Sequence, residues 1–308
     1  MLLNFIKCNN IGNIYENVSL KKKTTLRIGG IVKYYLEVYN IKCLKKIIKF
    51  CYHNNIKYFI IGNGSNLLIS DEYYDCLFIS LKNIKKYYKL NNNMYLVESG
   101  VQAINFGMKM INLGFLDSIH LSLIPGSIGG LIYMNASCFK YSMKDIVYKV
   151  IYMDKYGNIK SKTSDFEFTY RKSYFQNKDL IILAAILKFN KYSKNSKDLY
   201  YKFWNIKKNT QPIKTYTAGS IFKNPDDISA WELIEKCNLR GFNIGDACVS
   251  KIHTNFLINM KNASFNEMYS LIYYVKRKVK EKFNIDLVLE LKILTVSSLC
   301  PRNLQKYE

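Results

Sequence analysis

Long apolar runs are missing from this chain of 308 residues. The longest, Leu180 to Leu187, has the length of a strand and falls far short of the roughly 20 residues that a membrane-crossing helix needs. Cys-x-x-Cys is missing as well. The eight cysteines stand at 8, 43, 51, 76, 138, 237, 248 and 300, and no histidine lies at zinc-finger spacing from a pair of them. Cys51 and His53 are two apart, which on a helix puts them on different faces. A resident metal is set aside, and scattered thiols read as reduced core filler of a cytosolic protein. Histidine is scarce, at 53, 120 and 253, which leaves little room for a Ser-His-Asp triad. Acidic residues number 23 against 46 Lys and Arg, a formal net charge of +23. The basic residues are spread along the whole length rather than gathered in one block. No nucleic-acid partner is therefore expected, and the field favours small anionic ligands such as nucleotides. Met1 to Lys7 is too short and too polar for a signal peptide, so the cytoplasm is the expected compartment.

What is present is ordinary for a globular protein: 49% hydrophobic and 22% charged residues, with enough length for about two domains. Leu44, Ile47, Ile48 and Cys51 recur at helical spacing over 42–54. An apolar strand is expected at Tyr58–Ile61 and another at Cys76–Leu81, a small β-α-β-like unit. A second region opens at Met94–Glu98, with a helix over about 102–113. Strands flank the turn Asp154-Lys155-Tyr156-Gly157, and the region closes on the apolar strand 180–188. Residues 190–200 are polar and read as a linker or domain boundary. Two helices follow, one over about Ile228–Cys237. The other is opened by the capping box Ser264-x-x-Glu267 and carries Met268, Leu271, Ile272, Val275 and Val279 on one face. Strands and helices mix without regular alternation, which predicts an α+β fold.

The most informative run is Ile60-Ile61-Gly62-Asn63-Gly64-Ser65-Asn66-Leu67-Leu68. An apolar strand leads into two glycines one residue apart, followed by short polar side chains, a loop able to hold an anion on backbone N–H groups. It is not a dinucleotide fingerprint of the G-x-G-x-x-G kind: Leu67 occupies the third glycine position, and no acidic residue ends a second strand about 20 residues on. A phosphate cradle in another fold and an ordinary turn both remain open on this run alone. Pro125-Gly126-Ser127-Ile128-Gly129-Gly130 is a second glycine-rich loop. A dinucleotide-sized ligand spanning both loops is the economical reading, and two independent turns the alternative.

Other segments carry chemistry only in context. Tyr170-Arg171-Lys172-Ser173 offers a guanidinium fork suited to a carboxylate or phosphate. Ala218-Gly219-Ser220-Ile221-Phe222-Lys223-Asn224-Pro225 is not a G-x-S-x-G elbow. A working Ser220 would be a proton donor or anion ligand rather than a nucleophile. A turn or N-cap serine is the alternative. In the stretch 245–256, His253 reads as a structural, hydrogen-bonding histidine, with a catalytic role as the alternative. Leu287-Val288-Leu289-Glu290-Leu291 sets a carboxylate inside an apolar strand, where burial would demand a partner or a proton.

Taken in order, Thr24–Gly30, Gly62–Leu68, Ile124–Gly130, Met134-Asn135-Ala136, Tyr170-Arg171-x-Ser173, Gln211-Pro212, Ala218–Pro225, the stretch 245–256 and Glu290 resemble the UDP-N-acetylenolpyruvoylglucosamine reductases, the FAD enzymes of peptidoglycan precursor synthesis. The likeness spans roughly residues 15–295 and is closest to the shorter, type II members. It implies an FAD-binding domain of the vanillyl-alcohol-oxidase (PCMH) type over 15–190 and a C-terminal substrate-binding domain over 200–296. It implies FAD as cofactor, NADPH as hydride-donating co-substrate and a UDP-sugar enolpyruvyl ether as the molecule reduced. Cofactor contacts would fall at Gly29, Gly30, Gly62, Asn63, Gly64, Ser65, Asn66, Leu67, Gly126, Ser127, Gly129, Asn135 and Ala136. Ser220 matches the proton donor, Arg171 and Glu290 the groups that stabilise the enolate, and Tyr170, Lys223 and Asn224 the substrate contacts. A monomer without membrane or nucleic-acid partners is expected. The chain departs from the pattern at Leu123, Ser137 and Lys140, which replace glycines. Two rival readings stand beside this one: an oxidase of the same fold, disfavoured because neither glycine loop holds a histidine for covalent flavin attachment, and a basic binding protein without catalysis.

Overall fold

The structure is a computed structural model that describes residues 1–299. It is α+β and forms two compact units. One gathers Met1–Glu16, Tyr34–Asn63 and Cys76–Trp204; the other gathers Asn17–Lys33, Gly64–Asp75 and the chain from Asn205 onward.

In the first unit, helix Ile41–His53 buries Leu44, Ile47, Ile48 and Cys51, the stripe that its spacing predicts. These side chains pack with Leu36, Val38, Leu77 and Ile79. A four-stranded sheet runs in the order Gly12–Ser19, Ile31–Val38, Tyr73–Ser80, Tyr58–Ile61, and its last two strands pair in parallel. Strand Leu180–Lys188 lies inside a five-stranded sheet, between Val147–Asp154 and Met94–Glu98. Both of its faces are covered, which explains an unbroken apolar run in place of alternation. A register shift opposite Ile151 and Tyr152 inserts one extra residue. Side-chain parity therefore flips along the strand. Ile181 and Leu183 face the core of helix Ile41–His53, whereas Ile182, Ala185 and Leu187 face Phe106, Ile128 and Phe175.

The polar stretch 190–200 is only partly a connector, because a helix begins at Ser196 and runs to Thr210. Ser196 donates to the Ile111 carbonyl at 2.8 Å. Leu199, Tyr200, Phe203 and Trp204 then pack against Ile111, Ile119, Leu123 and Tyr141. Asn190 to Asn195 form the connector, and Ser196, Lys197 and Asp198 the polar first turn of this helix.

In the second unit, strands Tyr216–Ser220, Phe256–Asn259, Ala247–Val249 and Asn243–Ile244 form an antiparallel sheet in that order. Helices Ala230–Lys236 and Phe265–Phe283 share its core. The capping box at Ser264 and Glu267 is formed in both directions, and all five residues of the expected stripe are buried. Leu67–Ile69 and Lys292–Leu294 make a separate two-stranded parallel ladder.

Among the described residues no helix is long and apolar enough to cross a membrane, no group of three or more His, Cys, Asp or Glu could hold a metal ion, and the seven described cysteines are free thiols. Cys300 lies outside the described residues.

Candidate active site

In the first unit the two glycine loops adjoin. A Cβ placed on Gly62 would come within 3.1 Å of Ser127 Oγ. Asn63 and Gln102 exchange side-chain amide hydrogen bonds at 2.6 and 3.1 Å, and Gln102 forms an antiparallel bridge to Ser127. Gly126 accepts from the Ala103 N–H, while the N–H groups of Ile128 and Gly129 donate to Val101 and Ser99. Gly129 is required by that last approach, since a Cβ there would lie 2.7 Å from the Ser99 Cβ. Ser127 is buried and caps helix Ile128–Tyr133 through Gly130 N–H.

The rest of the first loop belongs to the second unit. Gly64 adopts φ +62 with the Lys23 carbonyl against its Cα, so no side chain fits there. Its own carbonyl accepts from the Thr25 N–H. Gly30, in the turn before strand Ile31–Val38, donates to Ser70 and accepts from Leu20, and Gly29 precedes it at φ +150. The N–H groups of Gly62 through Asn66 donate to no protein acceptor among the described residues. Consecutive open N–H groups beside a half-buried Ser65 fit the doubly charged pyrophosphate of a dinucleotide.

Arg171 is half-buried with a left-handed backbone, φ +56. Thr169 and Lys172 bridge around it, and its carbonyl accepts from Gln176 Nε2 at 3.1 Å. Its guanidinium lies over the exposed Tyr170 ring, 5.2 Å from the centroid, and donates from Nη1 to Ser137 Oγ. Asn135 is buried and spends its side chain within the protein, donating to the Thr169 carbonyl at 2.8 Å and accepting from the Lys144 N–H at 3.0 Å. It therefore ties the Arg171 turn to the segment that contains the half-buried Ala136.

Ser220 and Glu290 come together through the backbone. Ser220 ends strand Tyr216–Ser220, opposite Phe256. The next residue, Ile221, accepts from the Glu290 N–H at 2.9 Å, Phe222 bridges Leu289, and Lys223 N–H donates to Val288 at 2.8 Å. Asn255 holds Phe222 from both sides, accepting from its N–H at 3.0 Å and donating to its carbonyl at 2.8 Å. Asn66 Nδ2 donates to the Glu290 carbonyl at 3.1 Å, and Lys292 N–H donates back to Asn66. Leu67 pairs with Lys292 in the parallel ladder. The glycine loop and the carboxylate segment are thus joined side by side in this unit.

Three expectations are corrected. Glu290 is half-buried, and 287–291 is not a ladder strand: regular pairing starts at Lys292, because before it only Leu289 is bridged. His253 packs its ring 4.8 Å from Phe256 and 6.1 Å from Trp231, and its Nδ1 has no hydrogen-bond partner among the described residues. Burial lowers its pKa. Ser220 is a strand residue, not a helix cap. Lys223 is half-buried, whereas Asn224 is exposed and accepts from the Ala230 N–H at 3.1 Å. The sequence did not single out Gln102, Gln176 or the clamp formed by Asn255; each is an amide side chain whose partners lie far along the chain. Ser137, visible only as a departure from a glycine pattern, is the partner of Arg171.

The chain is similar to known proteins along most of its length. Residues 32–161 match the FAD binding domain, and residues 211–294 match the C-terminal domain of UDP-N-acetylenolpyruvoylglucosamine reductase. The UDP-N-acetylenolpyruvoylglucosamine reductase of Petrotoga mobilis is 37% identical over 289 residues, 91% of this chain and 94% of that one. That of Bacillus subtilis is 32% identical over 292 residues, 94% and 96% of the two chains. The crystal structure of the Thermus caldophilus reductase superposes with a TM-score of 0.78 at 27% identity, covering 92% of this chain and 99% of that one. A chain with an FAD-binding domain and relatives this similar along nearly its whole length belongs to the UDP-N-acetylenolpyruvoylglucosamine reductase family.

Proposed function

We propose that this protein uses NADPH and FAD to reduce the enolpyruvyl ether of UDP-N-acetyl-3-O-(1-carboxyvinyl)-glucosamine to UDP-N-acetylmuramate, a step of peptidoglycan precursor synthesis in the cytoplasm, as a monomer. Residues 15–190 serve as the FAD-binding domain and 200–296 as the substrate-binding domain. The observation that carries the reading is the hydrogen bond from Glu290 N–H to Ile221, which keeps the carboxyl-bearing residue next to the serine-bearing one. The names of the family relatives support the choice of substrate.

FAD, when bound, would supply the hydride chemistry that links NADPH to the β-carbon of the enolpyruvyl group. Gly62, Asn63, Gly64, Ser65, Asn66 and Leu67, with Gly126, Ser127, Gly129, Asn135, Ala136, Gly29 and Gly30, hold the cofactor. Tyr170, Lys223 and Asn224 contact the UDP-sugar. Hydride addition drives negative charge onto the substrate carboxylate. Arg171 and a protonated Glu290 stabilise it there as preorganised hydrogen-bond donors. Ser220 then gives its hydroxyl proton to the α-carbon, an acceptor basic enough for so weak an acid.

Ser220→Ala tests the assignment. Anaerobic NADPH still bleaches the flavin of this variant, while turnover of the enolpyruvyl substrate falls roughly 10²–10⁴-fold. Loss of bleaching in a folded variant would refute the role given to Ser220.

A further inference from the structure

Arg171 is held from two directions. Its backbone is fixed by the Thr169–Lys172 bridge, by Gln176 Nε2 on its carbonyl, and by Asn135 Nδ2 on the Thr169 carbonyl. Gln176 Nε2 also donates to the Tyr133 carbonyl at 2.8 Å, and Ser173 Oγ donates to the same carbonyl at 2.7 Å. Those contacts set where the side chain begins. Its far end is a separate matter, because an arginine has several rotatable bonds beyond Cα and its fork loses much freedom when it is fixed. Contacts on the fork include the Tyr170 ring, 5.2 Å from it, and the directional hydrogen bond from Nη1 to Ser137 Oγ.

Ser137 is itself anchored. It opens the hairpin Ser137–Cys138 with Tyr141–Ser142. The tip residue of that hairpin, Phe139, stacks on Phe203 with ring centroids 4.1 Å apart and planes at 23°. The hairpin closes on the capping box between Ser142 and Asp145. A hydroxyl on such a support is a fixed acceptor. It is also neutral. A carboxylate in its place would hold the fork equally well but would cancel the charge that a substrate carboxylate needs.

We propose that Ser137 is a positioning residue for substrate recognition: its hydroxyl holds the charged Arg171 fork in one orientation toward the substrate carboxylate without neutralising it. This rests on the role of Arg171 given above. The flavin half-reactions separate the two claims. In Ser137→Ala, NADPH bleaches the flavin at the wild-type rate. Reoxidation by the enolpyruvyl substrate slows about tenfold, the size of one hydrogen bond to a charged group. The KM for that substrate rises while the KM for NADPH does not move, and its calorimetric Kd weakens in parallel. Ser137→Thr, which keeps the hydroxyl, returns to within roughly threefold of wild type. Ser137→Asp is slower than Ser137→Ala. In an Arg171→Ala background, Ser137→Ala adds nothing, because the tether acts only through the arginine.

Wild-type reoxidation and Kd in Ser137→Ala, beside a slow Arg171→Ala, overturn the tether alone. An additive loss in the double variant overturns it equally. Wild-type reoxidation in Arg171→Ala overturns the assignment of Arg171, and the tether with it.

Discussion

His120 is fully buried, with Nε2 3.4 Å from Met143 Sδ and Nδ1 without a hydrogen-bond partner among the described residues. Burial pushes its pKa down to about 4, against weaker upward pulls from Asp145 and from the backbone of Asp117. An unfolded histidine titrates near 6.5, so between about 6.5 and about 4 the unfolded chain holds the extra proton. Stability from this residue is complete above that window and is lost as pH falls through it, by up to about 3 kcal/mol. His253, also lowered by burial, acts in the same direction. Asp117 acts in the opposite sense. Burial raises its carboxyl despite the N–H groups of Asn190 and Lys191 on Oδ2, and this favours the folded state on acidification lower down, around the carboxylate range. The expected result is a melting temperature that is flat above pH 6.5 and declines below it. In His120→Gln the decline is shallower from a lower starting point. Differential scanning calorimetry across pH 4–8 reads both, and an unchanged slope in the variant would reject the assignment to His120.

At the scale of elements, helix Phe265–Phe283 depends on its first turn. Ser264 accepts from the Glu267 N–H at 3.2 Å, and Glu267 accepts from the Ser264 N–H at 2.8 Å. Ser264→Ala is expected to cost about 1 kcal/mol and to lower the melting temperature by about 2 °C, leaving flavin content unchanged. A thermal shift assay with absorbance at the flavin band checks both. This helix was legible in the sequence because its cap and its stripe are local signals. Helix Ile41–His53 was legible for the same reason, and so was the strand leading into Gly62. Helix Ser196–Thr210 was not, since its first residues are polar and its apolar side chains find their partners on segments some 60–90 residues earlier. The bulge that flips strand Leu180–Lys188 left no mark in an apolar run that fits either parity. The site was legible as an ordered set of motifs. Its joints were not: Ile221 to Glu290, Asn66 to Glu290 and Ser137 to Arg171 are meetings created by packing, and no spacing encodes them.

At the scale of the whole molecule, a net charge of +23 surrounds a site whose proposed ligands, NADPH and a UDP-sugar, are all anions. Observed ion pairs such as Lys33 with Asp75 and Lys280 with Asp286 are largely exposed. Screening lengths shrink to about 10 Å at 0.1 M salt. The values of kcat/KM for both substrates are therefore expected to fall several-fold between about 0.02 and 0.2 M salt while kcat holds, as steady-state kinetics at graded ionic strength will read. A salt-independent kcat/KM would mean that the charge plays no part in ligand capture. The ladder that joins Leu67–Ile69 to Lys292–Leu294 also bears on how the protein is made. Ribosomes add about 5–20 residues per second, so roughly 11–45 s separate the synthesis of Leu67 from that of its partner Lys292. Throughout that interval the glycine loop has emerged without the strand that fixes its downstream side. Closure of that loop edge thus waits for the synthesis of Lys292–Leu294, and a nascent chain stalled before Lys292 leaves it open to whatever strand it meets first.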